Sequence, residues 1–183
     1  MKTKWIEKES KYDGLQLKPL VNYLQHGLLG DSCVAWIGPC DIPFAHMMDG
    51  EDLLEKAPIK GARMLHFVFE VFDRELATGV FLQRLFASIV QDLVYEKTQK
   101  HLKRVGDDLF LQEGKLSISI ATCSANSVLV HFAVNITNEG TPVKTSALED
   151  LGLDPKDFAE QALQRISREY ESILQATHKV RTF

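Results

Sequence analysis

Two neighbouring stretches of the chain alternate between apolar and polar or small residues. Residues 116–121 (LSISIA) and 128–136 (VLVHFAVNI) both follow this pattern, and the turn-rich segment 123–127 (CSANS) separates them. A repeat of two residues is the period of a β-strand with one face buried. The pair therefore predicts an antiparallel hairpin within a larger sheet.

The register of this hairpin decides which side chains share a face of the sheet. A turn centred near Ala125 would set Lys115 opposite Asn135 and Ser119 opposite His131. One face would then be aliphatic core, and the other would carry five polar side chains: Lys115, Ser117, Ser119, His131 and Asn135. A ligand site and an ordinary solvated face both explain such a surface. A shift of the strand register by one residue would place these side chains on different faces.

The other predicted elements surround this hairpin in mixed order. Apolar and β-branched runs predict strands at 3–8, 32–37 and 64–72. Apolar spacings of three and four residues predict helices at 15–29, at 78–97 and from Asp154 onward. The connection between 40 and 62 is unusually long, with a short helix near 50–56. We therefore expect an α+β fold, a single domain over residues 1–183 with a mainly antiparallel mixed sheet packed by helices.

Composition narrows the class of protein. The chain has 183 residues, of which 45% are hydrophobic and 25% charged, a balance typical of one globular domain. Lys and Arg number 21 against 25 Asp and Glu, a net charge of −4 that argues against a nucleic-acid partner. No apolar run approaches the roughly 20 residues of a membrane-spanning helix. Three cysteines without metal-ligand spacing predict free thiols, a cytoplasmic location and no metal site.

Three segments resemble the biotin/lipoate protein ligase superfamily. Residues 107–116 (DDLFLQEGKL) resemble the biotin-ligase segment in which an Asn-Asp pair precedes a strand, a turn and a lysine. Residues 133–136 (AVNI) resemble that family's later Gly-Ile-Asn strand. Residues 143–152 (VKTSALEDLG) are similar to a Thr-Ser-Leu…Leu-Gly segment of lipoate-attaching enzymes. The resemblance implies the class II-synthetase-like α+β fold and points to a branch known only as a family of unknown function.

The resemblance also implies roles for particular residues. In the ligases, the lysine that matches Lys115 contacts the carboxylate being activated and the α-phosphate, a task that suits a compact cation with three donors. Asp107 and Asp108 match the Asn-Asp pair beside the adenylate, and Asn135 matches the asparagine of the later strand. Together with the polar face, this gives a set of ligand-binding residues for a small carboxylate or acyl ligand: Asp107, Asp108, Ser117, His131 and Asn135.

The segment after the second predicted strand departs from the ligase pattern. Biotin ligases carry a Gly-Arg-Gly-Arg loop there, and lipoate ligases an Arg-Arg…Gly-Gly-Gly run. Residues 38–52 (GPCDIPFAHMMDGED) are instead acidic and apolar, and Asp107 replaces the family's asparagine. Both differences add negative charge where a nucleotide phosphate would bind. The resemblance implies ATP as cofactor, whereas the residues themselves argue against it.

Cys40, within the same segment, is a second candidate catalytic residue. Acyl-transferring relatives of the lipoate branch use a cysteine as a thioester carrier, so Cys40 could accept an acyl group by analogy. The alternative is a small buried side chain that follows a Gly-Pro turn. His46 and Asp49 lie nearby, but their spacing matches no zinc signature.

Two functions from different classes follow. In the first, the domain is an acyl or adenylate-type transferase in which Lys115 stabilises developing charge and Cys40 accepts the acyl group. In the second, it is a non-catalytic relative that senses a ligand or binds a protein. The retained lysine spacing favours the first, and the missing Gly/Arg loop favours the second. A homodimer through an exposed sheet edge is left open.

Overall fold

The computed structural model describes residues 1–181. Its strands are, in chain order, β1 (Lys2–Trp5), β2 (Ser32–Ile42), β3 (Ile59–Phe72), β4 (Lys103–Val105), β5 (Asp108–Leu111), β6 (Gly114–Lys115), β7 (Ser117–Cys123) and β8 (Ser127–Asn135). Five of them form the central sheet in the order β1-β2-β3-β8-β7, with β1 parallel to β2 and the other neighbours antiparallel. The remaining three form a small sheet, β4-β5-β6. The mixed, mainly antiparallel sheet agrees with the prediction.

The helices are α1 (Val21–His26), α2 (Gly50–Glu55), α3 (Leu76–Thr98), α4 (Leu148–Leu151) and α5 (Pro155–His178), with a 3₁₀ turn at Phe44–His46. Asp154 caps α5 as predicted, because its carboxylate accepts a hydrogen bond from the backbone N–H of Asp157 at 2.8 Å. α1 is much shorter than the predicted helix over 15–29. Leu20, before its first turn, has a left-handed φ of 62°, and Gly27 ends the helix with a left-handed φ of 76°.

The two faces of the central sheet bury different clusters. α3 and α5 cover one face, where the ring of Phe86 meets Phe67, Phe69 and Phe132 edge-on at centroid distances of 4.8, 4.9 and 5.1 Å. The opposite face buries a smaller cluster around Tyr12, Trp36, Met64, Val68 and Ala133. The larger cluster is the main core, and the smaller one leaves room for a cavity beside it.

The β7–β8 hairpin exists, but its register differs by one residue from the prediction. Ile120 pairs with His131, and Ser117 pairs with Val134. The cause is a tight turn, in which the N–H of Ser124 donates to the carbonyl of Ser127 at 2.8 Å. The centre of the turn therefore lies between residues 125 and 126 and not at 125.

This register corrects the predicted polar face. Because neighbouring residues of a strand point to opposite faces, Ser117 and Ser119 share the face that α3 and α5 cover. Ile118 and Ile120 share the face of His131 instead. Ser117 is therefore separated from the predicted polar set, whereas Lys115, Ser119, His131 and Asn135 still line one cavity. The floor beside His131 is more apolar than predicted.

Candidate functional site

A cavity of about 410 Å³ opens on the face of the central sheet that α3 and α5 leave uncovered. Ile118, Ile120, His131 and Asn135 contribute to its wall from β7 and β8. The rest of the wall comes from Tyr12, from the segment between residues 42 and 60, from the small sheet, and from the loop around 141–145. The cavity is thus assembled from parts of the chain that are far apart in sequence.

Lys115 lies in this wall at the end of β6. Its Nζ donates to Oδ2 of Asp108 at 2.8 Å, and the two side chains are 31% and 32% exposed. Asn135 holds the backbone at this point, since its Nδ2 donates to the carbonyl oxygens of Lys115 and Ser146 at 3.0 and 3.2 Å. The lysine is therefore anchored through its main chain, while part of its side chain stays open to solvent.

Asp107 and Asp108 also line the cavity, with different partners. Oδ2 of Asp107 accepts hydrogen bonds from the hydroxyl of Ser119 at 2.6 Å and from Nε2 of Gln83 at 2.8 Å. Arg84 lies 3.4 Å from its other oxygen. Asp107 is thus held by β7 and α3, whereas Asp108 faces the lysine.

His131 is buried and belongs to a hydrogen-bonded chain. Its ring stacks on Tyr12 with centroids 3.6 Å apart, and its Nε2 lies 3.1 Å from Nδ1 of His66. Nε2 of His66 lies 3.1 Å from the carbonyl oxygen of Gly38. Burial lowers the pKa of His66 to about 4 and holds the pKa of His131 well below its usual range. Both rings are therefore neutral at pH 7.

Ser117 and Cys40 do not reach the cavity. The hydroxyl of Ser117 accepts a hydrogen bond from the backbone N–H of Leu109 at 3.0 Å, on the helix-covered side of the sheet. Cys40 is 2% exposed, and burial raises the pKa of its thiol to about 12. A nucleophilic thiolate at Cys40 has no geometric support.

The segment that departs from the ligase pattern supplies much of the cavity wall. Asp49, Glu51 and Asp52 line the cavity, and burial raises the pKa of Asp52, with the nearby Asp49 adding to the effect. With Asp107 and Asp108 the wall has five carboxylates against two lysines, Lys60 and Lys115. The wall is therefore net acidic, as the sequence of the segment indicated.

Over residues 1–181, no group of three or more His, Cys, Asp or Glu side chains is arranged to hold a metal ion. Within the same residues, no helix is both long and apolar enough to span a membrane.

Sequence comparison assigns the chain to a family. Residues 1–181 match the family described as domain of unknown function DUF366. The chain belongs to this family. An uncharacterised protein of Methanocaldococcus jannaschii is 32% identical over 159 residues, which are 84% of this chain and 72% of that protein. A protein of unknown function from Pyrococcus horikoshi, 33% identical, superimposes with a TM-score of 0.94 over 99% of both chains.

Structural comparison relates this DUF366 member to biotin and lipoate ligases. The apo biotin protein ligase of Aquifex aeolicus is 18% identical, with a TM-score of 0.61 over 94% of this chain and 70% of the ligase. A T. acidophilum protein solved with bound lipoic acid is 12% identical, with a TM-score of 0.56 over 92% of this chain and 85% of that protein. At such low identity the likeness concerns the fold. The fold predicted from the resemblance, and membership in a branch of unknown function, are both confirmed.

Proposed function

We propose that this DUF366 domain binds a small carboxylic acid or acyl ligand in its cavity, with Lys115 as the cation that holds the acid group. The observation that carries the proposal is the position of Lys115 in the wall of a cavity large enough for such a molecule. Proteins of the same fold have been solved with biotin and with lipoic acid, both small carboxylic acids.

The surroundings of Lys115 suit this task. An ammonium group has three donors, and Asp108 uses one of them. The side chain is about one-third exposed, so a ligand carboxylate can take a remaining donor without breaking the existing pair. Asn135 fixes the main chain behind the lysine, which reduces the freedom lost when the ligand binds.

The acidic wall favours binding over adenylate transfer. A nucleotide would bring several phosphate charges next to five carboxylates, of which Asp49, Glu51 and Asp52 occupy the segment where ligases carry arginines. The Cys40 thiol is buried and its pKa is raised, which argues against transfer of an acyl group to this cysteine. We therefore propose a ligand-binding or sensing domain, with acyl or adenylate-type transfer as the competing function.

Titration calorimetry with hexanoate tests the binding site. We expect Lys115→Gln to weaken binding about 10- to 100-fold, since a hydrogen bond to a charged group is worth about 1.5–3 kcal/mol. Lys60→Gln is the matched control, because Lys60 also lines the cavity but lies 3.4 Å from Asp41. Equal affinities of the wild type and Lys115→Gln would overturn the proposal.

Incubation with ATP decides between binding and transfer. Biotin, lipoate or octanoate is added with ATP, and AMP release and intact protein mass are followed. We expect neither AMP release nor a mass adduct. AMP release that Lys115→Ala abolishes would establish an adenylate-forming enzyme, and an adduct on Cys40 would establish acyl transfer.

A further inference from the structure

The hydrogen-bonded chain that ends at His131 fixes where its protons lie. A carbonyl oxygen only accepts, so Nε2 of His66 must carry the proton that is donated to Gly38. The second nitrogen of a neutral imidazole is an acceptor, and Nδ1 of His66 must therefore accept from Nε2 of His131. By the same rule, Nδ1 of His131 carries a lone pair and no proton.

This lone pair has no partner within the described chain. Over residues 1–181, no hydrogen bond reaches Nδ1 of His131, and the residue is 1% exposed. The His131 ring belongs to the cavity wall, so Nδ1 is the polar atom that it can offer to a ligand. A ligand N–H that donates to this atom would form a hydrogen bond that no group of residues 1–181 supplies.

The charge of the wall indicates which kind of donor fits. Five carboxylates and two lysines leave a negative excess, and Asp108 is the partner of the lysine that we assign to the acid group. A ligand with only a carboxylate would add to this excess. A ligand that also carries a protonated amine would offset it and supply the N–H that His131 lacks.

We propose that the ligand is a zwitterion whose carboxylate binds Lys115 and whose protonated amine donates an N–H to Nδ1 of His131. The carboxylate half rests on the function proposed above, whereas the amine half rests on the histidine chain and the acidic wall. The ligand class is therefore amino acids and their longer homologues, as opposed to simple fatty acids.

Three probes that share a six-carbon chain separate the two halves: hexanoate, 6-aminohexanoate and hexylamine. Titration calorimetry should give at least tenfold tighter binding for 6-aminohexanoate than for hexanoate. Hexylamine binding should survive Lys115→Gln. Hexanoate that binds as tightly as 6-aminohexanoate overturns the zwitterion proposal alone. If Lys115→Gln changes the affinity for neither hexanoate nor 6-aminohexanoate, the proposed function is overturned. Binding of hexylamine would still test the contact with His131.

His131→Phe tests the acceptor itself. A phenylalanine ring can still stack on Tyr12, but it carries no acceptor where Nδ1 was. We expect this variant to reduce the affinity for 6-aminohexanoate to that for hexanoate, and to leave hexanoate binding within about twofold. His101→Gln is the matched control, because His101 is exposed and stacks on Tyr95.

Nitrogen-15 spectra of the wild-type imidazoles test the proposal without any variant. We expect His66 and His131 each to carry the proton on Nε2, and we expect 6-aminohexanoate and hexylamine, but not hexanoate, to shift the Nδ1 resonance of His131. A proton on Nδ1 of His131 in the free protein overturns the proposal. So does an Nδ1 resonance that neither amine moves.

Discussion

Two side chains give the wall of this cavity contrasting polar groups. Lys115 is charged, partly exposed and paired with Asp108, whereas His131 is buried, neutral and hydrogen-bonded to His66. Buried imidazoles stay neutral because the low-dielectric interior disfavours the charged form. The histidine pair therefore affects stability as well as binding.

The His66–His131 pair predicts a stability that depends on pH. Burial lowers the pKa of His66 from 6.5 to about 4 and also lowers the pKa of His131, so the unfolded chain takes up protons first as the pH falls. The free energy of unfolding should be highest above pH 6.5 and should decrease from there toward pH 4. One pKa unit corresponds to about 1.4 kcal/mol, so His66 alone should cost about 2–3 kcal/mol by pH 4.5.

Urea unfolding at pH 7 and pH 4.5 measures this loss. His66→Gln should show a clearly smaller difference between the two pH values, and the exposed His101→Gln should behave like the wild type. A wild-type free energy of unfolding that does not change between pH 7 and 4.5 would contradict the buried, neutral pair.

The three cysteines predict a pattern of thiol reactivity. Cys33 and Cys40 are buried, and burial raises the pKa of both thiols, whereas Cys123 is exposed. Because the thiolate is the reactive form, a thiol reagent should modify Cys123 quickly and the other two only after unfolding. Mass spectrometry after short labelling of native and urea-treated protein shows the sites. Rapid labelling of Cys40 in the native protein would support Cys40 as a nucleophile.

At the scale of elements, the β7–β8 hairpin shows which structural features an alternating sequence pattern can predict. Alternation correctly predicts both strands, because a sheet with two unlike faces needs that period. It does not predict the register, because a change of one residue in the length of the turn around 124–127 shifts every pair of the hairpin. Of the two serines of β7, Ser117 is buried and bonded to Leu109, whereas Ser119 lines the cavity and donates to Asp107.

Helix α1 shows tertiary contacts overriding a helical pattern. The apolar spacing over 15–29 suggests a long helix, and Leu17 and Val21 are indeed buried. However, the carboxylate of Glu70 accepts a hydrogen bond from the backbone N–H of Leu20 at 2.6 Å, where φ is left-handed. A contact between residues fifty positions apart in sequence cannot be inferred from local spacing.

The packing of α3 on the sheet predicts an unusual effect of a glycine. A Cβ on Gly79 would lie 2.3 Å from Cγ1 of Val128, so the helix approaches β8 more closely than any other residue allows. Alanine normally stabilises a helix interior by about 1 kcal/mol relative to glycine. We expect Gly79→Ala to destabilise the protein instead, by about 1–3 kcal/mol, because overpacking costs more than the propensity gains.

Chemical denaturation of Gly79→Ala and of Ser88→Ala provides the comparison. Ser88 is in the same helix with its hydroxyl bonded to the carbonyl of Arg84, and its replacement should change stability by less than about 0.5 kcal/mol. A stabilised Gly79→Ala would show that α3 and β8 are not in such close contact.

At the scale of the whole molecule, the cavity depends on the packing of distant segments. Tyr12, the acidic segment around 49–52, the small sheet and the loop near 141–145 meet only in the folded chain. The resemblance in sequence pointed to Lys115, Asp107, Asp108 and Asn135, because these lie within recognisable motifs. Tyr12 has no such motif around it, and it could not be predicted as a wall residue.

Ligand binding should raise the stability of the whole domain. At a free concentration 100 times the dissociation constant, 6-aminohexanoate should add about 2.7 kcal/mol to the free energy of unfolding. Thermal unfolding with increasing 6-aminohexanoate measures the effect, and Lys115→Gln at the same concentrations should show much less of it. The same stabilisation in both proteins would mean that the molecule binds elsewhere.

A crystal structure of the protein soaked with 6-aminohexanoate would show both proposed contacts at once. We expect the carboxylate within hydrogen-bond distance of Nζ of Lys115, and the amine nitrogen within hydrogen-bond distance of Nδ1 of His131. A ligand bound in the cavity with its carboxylate away from Lys115, or bound outside the cavity altogether, would contradict the proposal.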